Sequence, residues 1–470
     1  MKKVIVAILM MSVMLFMFIG CGEEFDETSE VVVIGAGGGG LSAAVEAVEN
    51  DAEVILLEKM PAVGGNTMRA TGGMNAAGTV HQEALGINDD VETHYDDTME
   101  GGGHLNNPDL VEVMTSQAPD AIKWLGDLGA DLTDVGGLGG HSNNRSHRPE
   151  GGAAVGYELV STLEDTAREA GVDIRTRNKV TAVAEKNEDG LFTIEVEAED
   201  DTYTIGAEAV VVAAGGFGAC EDRFVEFDSS LEGFGTTNNP AITGDYIDFL
   251  AEKNVSLIDM EEIQEHPTVE PETSTMITEA VRGNGAILSN LDGERFIDEL
   301  ETRDVVSEAI LEQAESTSYL IFDQDVRDGL SAIESYVEQG LVIEGDTISE
   351  LAEEVGIDAA NLEDTLDRYN DFVADDEDPD YNRSNLAAEL DEAPYYAIEV
   401  APAVHHTMGG VEITPEAEIL AEDGSQIEGL YAAGETTGGV HGNNRLGGNA
   451  LADIVVFGRI AGTNAAESIK

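Results

Sequence analysis

The chain has 470 residues, too many for one ordinary hydrophobic core, so two domains or one domain with a large insertion are expected. Its 95 acidic side chains outnumber 23 basic ones, and the resulting net charge of −72 argues against nucleic acid as a partner, since phosphates would be repelled. A disordered acidic chain is disfavoured by 42% hydrophobic residues spread through periodic segments, so the charge reads as a solvated surface suited to high salt.

In chain order, Lys2 and Lys3 precede an apolar run from Val4 to Ile19, short for a membrane span and suited to a secretory signal. The run ends at Phe18-Ile19-Gly20-Cys21, which resembles a bacterial lipoprotein cleavage site with Cys21 as the lipidated first residue. An uncleaved anchor and ordinary secretion remain the alternatives. Cys220 is then the one thiol left, so no intramolecular disulfide is expected, and the missing Cys-x-x-Cys-His excludes covalent c-type haem. Residues 22–28 read as an acidic linker. Val31 to Ile34 is an apolar β-branched strand, Leu41 to Asn50 a helix, and Val54 to Leu57 a second strand, which together predict a βαβ unit. Strand patterns return at Val180–Ala184, Phe192–Val196 and Ala209–Ala213. Amphipathic helices are expected at Ile348–Val355 and Leu362–Phe372, followed by an acidic loop at Asp375–Asp380. A strand at Gly429–Ala433 and a helix from Leu446 close the chain.

Between the first strand and helix, Gly35-Ala36-Gly37-Gly38-Gly39-Gly40 satisfies G-x-G-x-x-G through Gly35, Gly37 and Gly40. Glycines there permit a tight turn and bring backbone N–H groups to a pyrophosphate at the helix N-terminus. Glu58 ends the second strand at the distance suited to a ribose hydroxyl pair. A dinucleotide site follows.

Further segments occur in a fixed order: Gln-Glu-His-Pro-Thr (Gln264 to Thr268), Ile-Thr-Glu-Ala-Val-Arg-Gly (Ile277 to Gly283), Glu-Thr-Arg-Asp (Glu301 to Asp304), His-His-Thr-Met-Gly-Gly (His405 to Gly410) and Gly-Asn-Asn-Arg-Leu-Gly-Gly-Asn-Ala (Gly442 to Ala450). In this order the chain resembles the flavoprotein subunits of the fumarate reductase and succinate dehydrogenase family, and within it the soluble flavocytochrome c fumarate reductases. The resemblance implies an α/β fold: a discontinuous Rossmann-like FAD-binding domain, residues 29–260 and 406–470, with an inserted α+β capping domain over 261–405. It also implies FAD rather than NAD. Gly65, Asn66 and Thr67, with Gly73 and Met74, match a loop running along the flavin; Gly215 and the Gly434–Glu435 pair match later FAD turns; and Arg445 with Leu446 would lie near the flavin pyrimidine edge at the start of the last helix. No Ser-His-Thr attachment segment stands beside Gly72-Gly73-Met74-Asn75-Ala76, so the FAD is expected to be non-covalent.

Carried over residue by residue, the resemblance makes Arg303 the proton donor to an alkene carbon, with Glu279 and Arg282 returning the proton and flavin N5 supplying hydride. Glu279 and Arg282 stand three residues apart, so one helical turn would bring them together. His405 and Arg445 would hold one substrate carboxylate, His266 and Thr278 the other, with Gln264 and Met276 lining the pocket. Arginine and histidine suit this role because their hydrogen bonds to carboxylates are charge-assisted. His406 is expected to be structural, and His147 and Arg148 lie in a stretch that borders the flavin in relatives. The implied reaction is fumarate to succinate. Reduction of another enoate such as urocanate, or a non-catalytic lipid-anchored flavin protein, are the rival readings. Expected partners are a small dicarboxylate, a membrane reached through the lipid anchor outside the cytoplasm, and an electron-donor protein or quinol-linked redox partner. No metal is expected.

Overall fold

A computed structural model describes residues 25–199, 201–383 and 385–470. The expected signal segment, Cys21 and the start of the acidic linker lie outside the described residues.

Strand β1 (Glu27–Ile34) ends in Val31, Val32, Val33 and Ile34, all buried. Continuous β-branched residues buried on both faces are the pattern of a central parallel strand. Helix α1 (Gly38–Glu49) and strand β2 (Val54–Glu58) complete the βαβ unit, with Val31 opposite Val54 in a parallel register. Helices α2 (Pro108–Leu128) and α3 (Val155–Ala170) follow, α3 packing on α1. Strand β3 (Asp173–Thr176) extends the sheet beyond β2. An antiparallel ribbon of β4 (Asn178–Val183) and β5 (Phe192–Ala198) then leads to β6 (Thr202–Val212), which pairs parallel with the other side of β1.

A second layer is built on β7 (Ile263–Glu270), the one-turn helix α4 (Ala280–Gly283), helix α5 (Arg303–Leu311), β8 (Ser318–Phe322) and the long β9 (Tyr395–Thr407). Strand β9 lies between β7 and β8 in a six-stranded antiparallel sheet. This layer has its own core, including Leu320, Phe322, Leu366 and Ile398. The two amphipathic patterns are helices here, Ile348–Val355 and Ala359–Asp375, the latter longer than its apolar stripe because Asp358 caps its first turn.

The chain then returns to the first sheet. Strand β10 (Glu418–Leu420) pairs with β11 (Gln426–Ala432), and β11 pairs parallel with β6, giving the order β10-β11-β6-β1-β2-β3. Helix α6 (Asn449–Ser468) lies along α1 and contacts α2.

Among the boundaries that differ from the sequence reading, two have a clear physical cause. Strand β1 begins at Glu27, inside the expected linker, because Glu27 pairs with the Arg175 guanidinium and stands opposite Ile205 in the sheet. Helix α6 begins at Asn449 rather than Leu446. Asn75 donates to the Gly447 carbonyl (2.7 Å) and to Asn449 Oδ1 (2.7 Å), which holds the stretch before Asn449 as a loop.

Candidate active site

At the C-terminal ends of β1, β2, β6 and β11 lies a cleft partly open to solvent. Gly35, Gly37, Glu58, Gly65, Asn66, Thr67, Gly215, Gly434 and Glu435 line it, as the sequence reading proposed. Gly40 does not face the space. A Cβ there would sit 1.8 Å from the Gly35 carbonyl oxygen, so its role is to let α1 start hard against the turn. The first N–H groups of α1 have no side-chain cap at the N-cap Gly37; Gly38 N–H donates to Thr67 Oγ1 (3.0 Å). The rest of this helix N-terminus opens on the cleft and suits a pyrophosphate. Glu58 accepts from the backbone N–H groups of Ala36 (2.9 Å) and Met60 (2.7 Å), tying the glycine turn to the end of β2. The residues present thus fit a dinucleotide.

Gly73, Met74 and Leu446 stand outside that cleft wall. Met74 is fully buried in the two-residue strand Met74–Asn75, which pairs with Ser146–Arg148. Leu446 packs against Gly101 and Gly140. In the stretch that borders the flavin in relatives, His147 Nε2 meets Thr79 Oγ1 at 2.7 Å and Nδ1 meets the Arg145 carbonyl at 2.8 Å. Arg148 pairs with Asp134.

The second cluster gathers side chains from both layers. Gln264 sits at its centre, 4% exposed on β7. Its Oε1 accepts from Arg303 Nη1 (3.2 Å) and from Arg445 Nη2 (3.0 Å), while its Nε2 donates to the Arg445 carbonyl (2.8 Å) and to Asn444. One amide therefore sets the separation of two guanidinium groups. Arg303, the first residue of α5, also donates through Nε to Glu279 Oε2 (3.4 Å), and Glu279 is fixed from behind by the Gly139 N–H (2.9 Å). Thr278 is buried beside them, its N–H donated to the Tyr336 hydroxyl (3.0 Å), and Met276 lies half-buried on an edge strand opposite Val269.

Two histidines face each other here. The rings of His266 and His405 stand 5.3 Å apart, edge to face. The register of β7 on β9 explains how His405 comes forward: Gln264 pairs with His406 and Glu265 with Val404, so His405 is the extra residue of a bulge. Bulges re-aim side chains in this way. Burial, reinforced by Arg303 and Arg445, holds both imidazoles far below their ordinary pKa, so both are neutral at pH 7. Burial opposes ionisation of Glu279, but Arg303 and Arg282 outweigh it and hold the carboxyl at about 2. Burial and the neighbouring Arg303 push Arg445 down to about 9. The pocket therefore carries more positive charge than it can balance.

Glu279 and Arg282 do lie within one helical turn, but they are not hydrogen-bonded. Arg282 Nη1 donates to the Glu299 carbonyl, and its Nε and Nη2 are buried without partners. The link between Glu279 and Arg282 is thus electrostatic in this conformation. His406 faces Glu435, with Nδ1 3.6 Å from Oε1, at the boundary between cleft and pocket.

Sequence reasoning missed two groups. Lys59 reaches Asp245 (2.8 Å) on the cleft wall, joined by Lys179 at 3.3 Å. Thr237 Oγ1 lies 2.7 Å from His405 Nδ1, in a loop where Asn66 donates to Asn238 Oδ1 (2.6 Å) and accepts from Asn239 N–H (2.8 Å). The run Thr236-Thr237-Asn238-Asn239 was the available signal, four hydrogen-bonding side chains in an otherwise acidic chain.

Comparison with known proteins bears on both regions. A family described as FAD binding domain matches residues 30–451. The chain is 47% identical to the fumarate reductase (cytochrome) of Shewanella frigidimarina, over 94% of this chain and 78% of that protein. It is 36% identical to the urocanate reductase of Eggerthella lenta, over 93% of this chain and 74% of that one. The solved open conformation of a flavocytochrome c3 fumarate reductase superposes with a TM-score of 0.82 at 41% identity, covering 94% of this chain and 79% of that chain.

Proposed function

This chain belongs to the FAD-binding flavoproteins of the fumarate reductase and succinate dehydrogenase family, an FAD-dependent oxidoreductase acting on C=C bonds, and on that premise we propose that it reduces fumarate to succinate. The observation that carries the dicarboxylate is charge. Three guanidinium groups, Arg303, Arg282 and Arg445, act together on His266, with Glu279 the ionised carboxylate between two of them. That favours an anionic substrate in a buried pocket, and a dicarboxylate above a monocarboxylate.

When bound, FAD supplies hydride to one alkene carbon. Arg445 and His405 hold the carboxylate at one end of the substrate, and His266 and Thr278 hold the other. Gln264 keeps Arg303 and Arg445 at a fixed separation, so binding the carboxylate also sets the proton donor in place. Arg303 gives its proton to the second alkene carbon. Glu279 is ionised and already bonded to Arg303, so it passes on a proton taken from Arg282, whose Nε and Nη2 are unpartnered, and Arg282 takes its replacement from solvent.

Reduction of urocanate is the second reading, favoured by the urocanate reductase relative. A monocarboxylate would leave one clamp unpaired, and unpaired buried polar groups cost about 1–3 kcal/mol each, enough for tenfold discrimination. Reoxidation of the reduced enzyme by fumarate, urocanate and cinnamate separates the two: fumarate is expected to be fastest by kcat/KM, and comparable urocanate turnover would overturn the dicarboxylate assignment. The FAD is held without a covalent bond and is expected to leave on acid or heat denaturation. Cys21 carries a lipid that anchors the enzyme outside the cytoplasmic membrane, where a separate redox protein or quinol-linked partner feeds it; mass spectrometry of the mature amino terminus tests this.

A further inference from the structure

The two histidines of the pocket are oriented by different means. At His266 the Nδ1 atom accepts a hydrogen bond from the Thr268 backbone N–H (3.3 Å). A backbone N–H can only donate, so the proton of a neutral His266 must sit on Nε2. At His405 the partner of Nδ1 is the Thr237 hydroxyl, at 2.7 Å, which can donate or accept. Among the described residues neither Nε2 has a hydrogen-bond partner, so each is free to meet a ligand.

We propose that Thr237 is a positioning residue that donates to His405 Nδ1, fixing the tautomer in which His405 presents an Nε2–H to one substrate carboxylate. The opposite arrangement would point a nitrogen lone pair at a carboxylate oxygen, two acceptors in contact. The competing acceptor for the hydroxyl, the Val404 carbonyl, lies at 3.4 Å, well beyond the 2.7 Å contact to Nδ1. The hydroxyl is also held in place from both layers. Thr237 N–H donates to the Val404 carbonyl (3.0 Å), Val404 N–H donates to the Gly235 carbonyl (3.0 Å), and the Thr237 carbonyl accepts from Arg69 Nη1 (3.1 Å). The strap thus runs along β9 on one side and reaches Asn66 and Arg69 beside the cofactor cleft on the other. Both imidazoles being neutral at pH 7, each has one proton to place, and in each the protein places it on Nε2.

This rests on the dicarboxylate reading, and the test separates the two. Thr237→Val removes the hydroxyl at nearly constant volume; Thr237→Ser keeps it. In the FAD-loaded enzyme, Thr237→Val is expected to raise KM for fumarate about tenfold with kcat changed less than about threefold, and Thr237→Ser to stay near wild type. Long-range nitrogen–proton NMR of histidine-labelled enzyme without substrate, with the His405 signals assigned by their loss in His405→Gln, is expected to show Nε2–H in wild type and Thr237→Ser and a tautomer mixture in Thr237→Val. A wild-type His405 protonated on Nδ1 overturns the proposal even where Thr237→Val fails to fold, and so does an unchanged tautomer in Thr237→Val whatever its KM. Failure of wild-type enzyme to reduce fumarate would sink the dicarboxylate reading, while the tautomer spectrum would still judge Thr237.

Discussion

The cofactor cleft is walled largely by glycine turns, which offer main chain to a ligand: Gly35 to Gly39, the start of α1, and the loops at Gly65, Gly215 and Gly434. In the substrate pocket the groups that meet a ligand are side chains, Gln264, Arg303, Glu279, His405 and Arg445, held by bonds to one another. Backbone donors are lost only to proline but are blocked by any added atom. Side-chain donors tolerate some crowding but vanish with a single truncation. The cleft should therefore be sensitive to enlargement and the pocket to deletion.

Arg303→Ala should give the largest effect. Turnover is expected to fall by about three orders of magnitude, the middle of the usual range for loss of a general acid, while FAD stays bound. Single-turnover mixing of reduced enzyme with saturating fumarate measures it, and near-normal kcat would return Arg303 to an ordinary ion pair with Glu279. Gly40→Val is the mirror experiment. Its side chain would start 1.8 Å from the Gly35 carbonyl, so the purified protein is expected to lose most of its flavin absorbance. Full FAD content in that variant would break the contrast.

Glu279→Gln keeps the shape of the side chain but replaces one of its two accepting oxygens, which face Gly139 and Arg303, by a donor, and it cannot carry the returning proton. A loss of about ten- to a hundredfold in kcat is expected with little change in KM, smaller than for Arg303→Ala because Arg303 itself remains. Acid acts on the folded protein as a whole and gives the smallest effect. Burial, the main cause, holds His94 at about 3 and His147 at about 4, below the ordinary value of 6.5. Their folded pKa values lie below the unfolded ones, so the unfolded chain takes up more protons as pH falls. The stability they contribute is complete above pH 6.5 and declines below it at about 1.4 kcal/mol per pH unit for each. Burial raises Glu265 to about 7, which offsets part of this loss over the same window, so calorimetry from pH 7 to pH 5.5 should show a Tm decline that is shallower in His94→Gln and in His147→Gln, and an unchanged slope in both would mean that these rings are protonated in the fold.

The same contrast governs what the sequence reveals. Glycine spacing between two β-branched strands is a local signal, and the turn, α1 and β2 follow from neighbouring residues. The parallel placement of β11 against β6 was legible only as a strand pattern, because pairing is non-local. Glu27 was misread as linker since its charge looks solvated until Arg175, 148 residues away, is folded beside it. The pocket is harder still. Gln264 meets Arg303 across 39 residues and Arg445 across 181, and no periodicity encodes such meetings; family resemblance named the residues. It did not reveal that one amide bridges both arginines, that Arg282 turns toward Glu299, or that Thr237 stands behind His405.

Because the wall formed by Gly434, Glu435 and Ile454 comes from β11 and α6, while the opposite wall comes from β1 and α1, the cofactor cleft closes late in synthesis. A growing chain exposes β1, β2 and β6 with the β11 edge of β6 unpaired while the whole intervening layer is made. That layer has a separate core and can fold in the meantime. Flavin loading is therefore expected at the end of translation, and a stop just before α6 would leave the pocket's side chains in the polypeptide while removing the Ile454 wall of the cleft.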